Sequence, residues 1–214
     1  MAGYYPIYLK LDGKKVVVVG GGEIAERKVA TALECGAIIT VVSPEYTNEI
    51  KTWGQEGRIT IEQRPYADGD IAGCYMALVC TDDHGINQAA ADEARKLGVL
   101  VNTADDVDNC DFIAPAIFKR GGLTLAVSTS GLSPAMARRV REELEEMFPP
   151  EYAELLSVLS QVRATLRGRG IRPDPEVWQQ GIDEELKELV RQGELWAARE
   201  RLTSFLVEKT VGKS

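Results

Sequence analysis

Histidine is almost absent from this chain of 214 residues: His84 is the only one. That excludes a metal site built from several imidazoles and any catalytic arrangement needing a second histidine. His84 itself opens a helical pattern, where a surface position is the plain expectation. Cysteine is scarce too. Cys35, Cys74, Cys80 and Cys110 include no C-x-x-C pair, and their spacing fits neither a zinc site nor a disulfide framework. Cys35 and Cys80 lie in apolar stretches and are expected to act as small core hydrophobes. No apolar run approaches the roughly 18 residues that span a bilayer. The N-terminus shows no basic start followed by an apolar stretch, as a secretory signal would, so a cytoplasmic location and no membrane partner are expected. The net charge of −8 argues against nucleic-acid binding. Internal repeats and low-complexity tracts are missing as well.

What is present begins with "KKVVVVGGGEIAERKVATALECGAIITVVSP". Val16 to Val19 run into Gly20, Gly21 and Gly22, and a helical pattern follows. A strand, a tight glycine turn and a helix N-terminus form the cradle for a dinucleotide pyrophosphate. Gly20 permits the turn, Gly22 lets backbone approach phosphate, and the small Ala25 lets helix pack on strand. The free N–H groups and dipole of the helix favour the anion. An acidic residue commonly follows the second strand and binds the adenosine ribose. Here that place holds Ser43 and Pro44, with Glu45 next. The missing acid leaves NADP open. No arginine lies near Ser43 in sequence, however, and the nearest cations, Arg27 and Lys28, belong to the first helix. NAD is favoured.

Alternating patterns predict strands at about 15–19, 38–42, 59–63, 74–81 and 99–102. Helices are expected at about 23–35, 47–55 and 84–96, the first burying Ala25, Val29, Ala32 and Leu33. This order predicts an α/β fold with a Rossmann-like parallel sheet. A small α/β region and a helical C-terminal domain follow. The boundaries are set at 1–111, 112–149 and 150–214. "FIAPAIFKRGGLTLAVST" reads as two strands joined through Arg120-Gly121-Gly122, with Pro115 at an edge or bulge. Ser133 and Pro134 are placed as N-cap and first residue of a helix. Met136, Val140, Leu144 and Met147 recur on one face of it. Asp174-Pro175 restarts the helical tail by the same capping logic.

Ligands of an open parallel sheet bind beyond the carboxyl ends of its strands. Gly20, Gly22, Glu23, Ile24, Ser43, Pro44, Thr81, Asp82 and Asn102 are therefore cofactor-binding candidates. Four aspartates crowd residues 105–111. Asp105 stands nearest the strand end, where a carboxylate can accept a proton from substrate or attract a metal ion. Most of this run reads as a solvated acidic loop. Residues 112–141 hold no acid but carry Lys119, Arg120, Arg138, Arg139 and Arg141, leaving the rest of the chain at −13. This basic stripe suits an anionic small molecule. The helix after Ser133 places arginines before glutamates, the reverse of the order its dipole favours. An anion held by the Ser/Thr/Gly-rich turn would compensate. Pairing of Arg138 or Arg141 with Glu142 or Glu145 is the alternative.

"YPIYLKLDGKKVVVVGGGEIAERK", "TDD…N", "VN-x-x-D", "CDFIAPA" and "STSGLSPAMARRVREELE" together resemble the precorrin-2 dehydrogenase family of siroheme synthesis. That family includes the yeast bifunctional dehydrogenase–ferrochelatase and the N-terminal module of bacterial siroheme synthase. The resemblance covers about residues 4–150 well and the tail loosely. It implies oxidation of precorrin-2 to sirohydrochlorin with NAD as cofactor, and in some members insertion of ferrous iron to give siroheme. It implies Asp105 as the residue that removes protons from the macrocycle, with no resident metal. It further implies cofactor contacts at Gly20, Gly22, Glu23, Ile24, Ser43 and Pro44, and an intertwined homodimer through the segment after the Rossmann domain. The substrate, a tetrapyrrole with eight carboxylates, makes Lys119, Arg120, Ser128, Ser130, Ser133, Arg138 and Arg141 candidates for its binding. No methyltransferase module is expected after the tail. A non-catalytic NAD-responsive regulatory module and a chelatase without redox activity are the alternatives.

Overall fold

A computed structural model describes residues 4–104 and 106–212. Two compact units divide between Ala114 and Pro115. The first holds strands β1 (Lys15–Val19), β2 (Ile38–Val42), β3 (Thr60–Glu62), β4 (Met76–Val79) and β5 (Leu100–Thr103). With them run helices α1 (Glu23–Glu34), α2 (Asn48–Gln55) and α3 (His84–Leu97). All strand pairs are parallel, in the order β3-β2-β1-β4-β5. The four valines of β1 explain its central place. They are buried on both faces, as an interior parallel strand requires. Val16 and Val18 join the core with Ala25 and Val29 of α1 and Ile50 and Trp53 of α2. Val17 and Val19 face Ala90, Ala91 and Ala94 of α3. The strand order reverses between β1 and β4, the switch point where such sheets hold ligands.

Local signals set the helix ends. Thr47 caps α2 by accepting from Ile50 N–H at 3.3 Å, and Gly98, at φ +67°, ends α3 in the left-handed conformation that glycine adopts at little cost. Two expectations fail here. Cys35 is exposed, because it sits just past the last turn of α1; Cys80 is buried as expected. The fourth strand is shorter than the apolar run around it, since the chain turns away after Val79.

The second unit begins with an antiparallel hairpin of β6 (Ala116–Arg120) and β7 (Leu123–Val127), joined through Gly121-Gly122. Gly121 has φ +55°, and a Cβ there would lie 2.7 Å from Ala153 Cβ, so only glycine serves. Helices α4 (Pro134–Met147), α5 (Glu151–Gly168), α6 (Pro175–Gly181), α7 (Glu184–Arg191) and α8 (Leu195–Val211) complete it. Phe118 is buried, with the Phe148 ring 6.4 Å away, and Phe148 meets Tyr152 edge-on. Leu155, Val162, Leu186, Leu202 and Leu206 anchor the helical core. The periodic apolar residues of α4 are unevenly covered, with Val140 and Leu144 half-buried. Met136 and Met147 are 54% and 66% exposed, and Ala137 is the buried residue. The small Ala137 lets the helix sit close to the hairpin, which leaves the longer side chains uncovered. Asp174 precedes α6 without a side-chain cap, and Pro175 alone fills the first-turn role.

Candidate functional site

The carboxyl end of β1 is built from three glycines with three different reasons. Gly20 has φ +114°, and a Cβ on it would stand 2.5 Å from the Cys80 carbonyl oxygen. It lets the turn press against the end of β4. Gly21 is the residue that sequence reasoning missed. A Cβ there would meet the Glu45 carbonyl oxygen at 2.0 Å and Ser43 Oγ at 3.0 Å. The Gly21 carbonyl in turn accepts from Thr47 N–H at 2.9 Å. Gly22 is the opposite case, since nothing stands within 4 Å of its Cβ position. It opens α1 in extended conformation with no side-chain cap. The amide of Glu26 bonds the Gly22 carbonyl at 2.9 Å, while those of Glu23, Ile24 and Ala25 have no acceptor among the described residues. Unpaired amides, open space and the positive end of a helix fit a pyrophosphate. Glu23 and Ile24 are exposed beside it.

At the end of β2, Ser43 is buried and its N–H donates to Glu62 O at 3.2 Å. Pro44 is exposed, and its carbonyl accepts from Gln63 Nε2 at 3.4 Å. The end of β3 thus lies beside the end of β2. Arg64 follows it in the chain. Tyr46 lies below, its phenol pKa raised by burial. Lys28 turns the other way. Its ammonium donates to Asn102 Oδ1 at 2.5 Å, on β5, three strands away from β2.

The ends of β4 and β5 are knitted internally. Thr81 Oγ1 donates to Asn87 Oδ1 at 2.6 Å, and Asn87 Nδ2 returns a bond to Thr81 O at 2.9 Å. Asp83 caps α3 through Gly85 and Ile86 N–H at 2.8 and 3.1 Å. Asp82 is exposed and unpaired among the described residues. Asn102 is buried, and its amide donates to Phe112 O at 2.8 Å while its oxygen holds Lys28. Burial pushes the neighbouring Cys80 thiol up, against the pull of Lys28. Asp105 lies outside the described residues. Of the aspartates after it, Asp106 caps a short 3-10 turn by accepting from Asp108 and Asn109 N–H. Asp111 accepts from Val101 N–H at 2.9 Å. These two brace the loop and are not merely solvated. Among the described residues no group of three His, Cys, Asp or Glu side chains is placed to hold a metal.

The charges of the basic stripe are held in different ways. Arg120 Nε donates to Phe148 O at 3.2 Å, and its guanidinium lies 5.1 Å from the Phe118 ring centroid. Arg141 pairs with Glu142 at 3.1 Å and with Glu145, and Arg139 pairs with Glu143 at 2.9 Å. The pairing alternative therefore holds for Arg141, and Arg139 is paired in addition. Arg138 has no ion pair among the described residues. Lys119 is exposed on β6. Ser133 caps α4 by accepting from Met136 N–H at 3.2 Å, and Ser128 Oγ accepts from Ser130 N–H at 3.0 Å. Ser130 sits at φ +53°, the left-handed region that L-residues seldom occupy. No helix among the described residues is long and apolar enough to cross a membrane.

Comparison with known proteins agrees with this geometry. A family model of NAD(P)-binding domains, NAD_binding_7, matches residues 7–116. A model for the central part of a sirohaem biosynthesis protein matches residues 120–147. Siroheme synthase of Nitrosococcus oceani is 35% identical over 193 residues, covering 89% of this chain and 41% of that protein. Siroheme synthase of Stutzerimonas stutzeri is 35% identical over 211 residues, covering 98% of this chain and 44% of that protein. The chain thus spans less than half the length of these relatives. A solved structure titled SirC, precorrin-2 dehydrogenase, superposes with a TM-score of 0.75 at 29% identity, over 92% of this chain and all of that one. The open glycine turn and the match across half the chain agree: this chain belongs to the NAD_binding_7 family of NAD(P)-binding proteins.

Proposed function

We propose that this chain oxidises precorrin-2 to sirohydrochlorin, with NAD as the hydride acceptor. The observation that carries the reading is the unobstructed Gly22 turn with its unpaired amides, in a chain whose next segment matches a sirohaem biosynthesis protein. Gly20, Gly22, Glu23 and Ile24 hold the pyrophosphate, and Ser43 and Pro44 border the ribose. Thr81, Asp82 and Asn102 complete the rim. The macrocycle loses a hydride to the bound cofactor and a proton to the Asp105 carboxylate. Lys119 and Arg138 supply positive charge for the substrate carboxylates, and Ser128, Ser130 and Ser133 supply hydroxyls and amides. Arg120 and Arg141 act from within their ion and aromatic contacts. A homodimer through residues 112–149, a cytoplasmic setting and ferrous iron as a second substrate belong to the same proposal.

The test is an anaerobic mixture of the chain, precorrin-2 and NAD. NADH absorbance and the sirohydrochlorin spectrum should rise together; no NADH would overturn the reading. Asp105→Ala should lower kcat by about a hundredfold or more, as loss of a general base does, with NAD affinity retained. Full activity in that variant would remove Asp105 from the reaction. Ferrous iron added to the product tests insertion directly.

A further inference from the structure

The ribose end of the cradle poses a question that the glycine turn does not answer: what makes it choose NAD over NADP. The acid that discriminates in many such folds is replaced by Ser43. An arginine near this point is what accommodates the 2′-phosphate of NADP, and the arginine that follows the end of β3 is Arg64. Ser43 N–H bonds to Glu62 O and Gln63 Nε2 to Pro44 O, so the chain leaving β3 runs alongside the end of β2. The Arg64 charge is felt by the phenol of Tyr46, three residues beyond Ser43.

Arg64 is nonetheless held closed. Its Nη1 and Nη2 donate to the two oxygens of Asp70 at 2.8 and 2.7 Å, a fork-to-fork pair. Nη1 also reaches Pro65 O at 3.1 Å, and Nε lies 3.8 Å from Glu62. The clasp is anchored from the Asp70 side. The Asp70 side chain is only 11% exposed and also accepts from Ala67 N–H at 2.8 Å. Its neighbours Gly69 and Ile71 donate their N–H groups to the buried Glu93 at 3.0 and 3.3 Å. The arginine's bidentate edge is therefore spent, and two carboxylates surround one guanidinium. Lys28 gives no substitute cation, being bound to Asn102.

We infer that Asp70 sets the dinucleotide preference of this chain: by clasping Arg64 it denies a 2′-phosphate its counter-charge and, with Glu62, leaves the ribose end negative. The inference rests on the dinucleotide reading of the glycine turn. It is tested by binding alone, titrating the purified full chain with NADH and NADPH and following calorimetry, without substrate. The native chain should bind NADH more tightly than NADPH. Asp70→Asn keeps an acceptor for Ala67 N–H and removes the charge. It should raise NADPH affinity about tenfold, roughly one charge-assisted hydrogen bond, and leave NADH affinity unchanged. Arg64→Ala added to it should abolish the gain. Unchanged NADPH affinity in Asp70→Asn, or a gain that survives loss of Arg64, overturns the inference. Should Asp70→Asn fail to fold, Asp70→Ser serves as the second variant: NADPH affinity should rise as expected for Asp70→Asn, and an unchanged value overturns the inference. Absence of binding by either nucleotide to the native chain would overturn the dinucleotide reading as well.

Discussion

The turn after β1 and the loops after β4 and β5 lie along one edge of the same sheet, yet they are built on opposite principles. At the β1 turn, polar groups are left free: amides at the start of α1 have no acceptor and Gly22 faces open space. At the other two ends, almost every polar side chain is consumed within the protein. Thr81 is tied to Asn87, Asp83 to the start of α3, and Asn102 to Lys28 and Phe112. The difference teaches that position at a strand's carboxyl end does not make a side chain a ligand contact. Backbone amides stay available at the first place because nothing competes for them, while side chains at the second brace one another.

The strongest way to sharpen this contrast is within the glycine turn itself. Gly21→Val places a Cβ 2.0 Å from the Glu45 carbonyl, and should cost at least about 3 kcal/mol in denaturant unfolding. Gly22→Ala adds a methyl to open space at φ −81°. It should leave stability within about 0.5 kcal/mol and weaken nucleotide binding in a titration. Unchanged affinity would break the comparison at its open end. Asn102→Ala tests the closed end. Lys28 loses its acceptor and Phe112 O its donor, at a cost of about 2–3 kcal/mol in denaturant unfolding. The smallest effect is pH dependence. The Arg64 guanidinium holds Asp70 below the usual carboxylate range against some burial. At Asp183, burial pushes upward, but Leu186 N–H and Arg201 prevail and the net shift is down. Groups lowered in the folded state stabilise it above their unfolded pKa of about 3.9 and lose that contribution as pH falls through the folded value. Thermal midpoints should therefore be insensitive to these two groups from pH 5 to 8 and drop below about pH 4.

Much of the first unit is legible in the residues. The valine run, the glycines and the small Ala25 specify β1, its turn and α1 through contacts a few residues apart. The hairpin at Gly121-Gly122 and the Ser133 cap are equally local. Burial is what local pattern left open. Met136 and Met147 have helical periodicity, but what packs against a periodic face is a tertiary matter. Cys35 has apolar neighbours in sequence and solvent in space.

Sequence alone thus determined the strand, glycine turn and helix that open an NAD(P)-binding domain, because all three follow from backbone preferences over some twenty neighbouring residues. Tertiary structure decided which charges border that cradle. Parallel pairing of β2 with β3 sets Glu62 against the end of β2, two residues before Arg64, and the loop pinned by Glu93 brings Asp70 onto Arg64. Pairing register and loop closure act between residues far apart in the chain, and no local pattern encodes them.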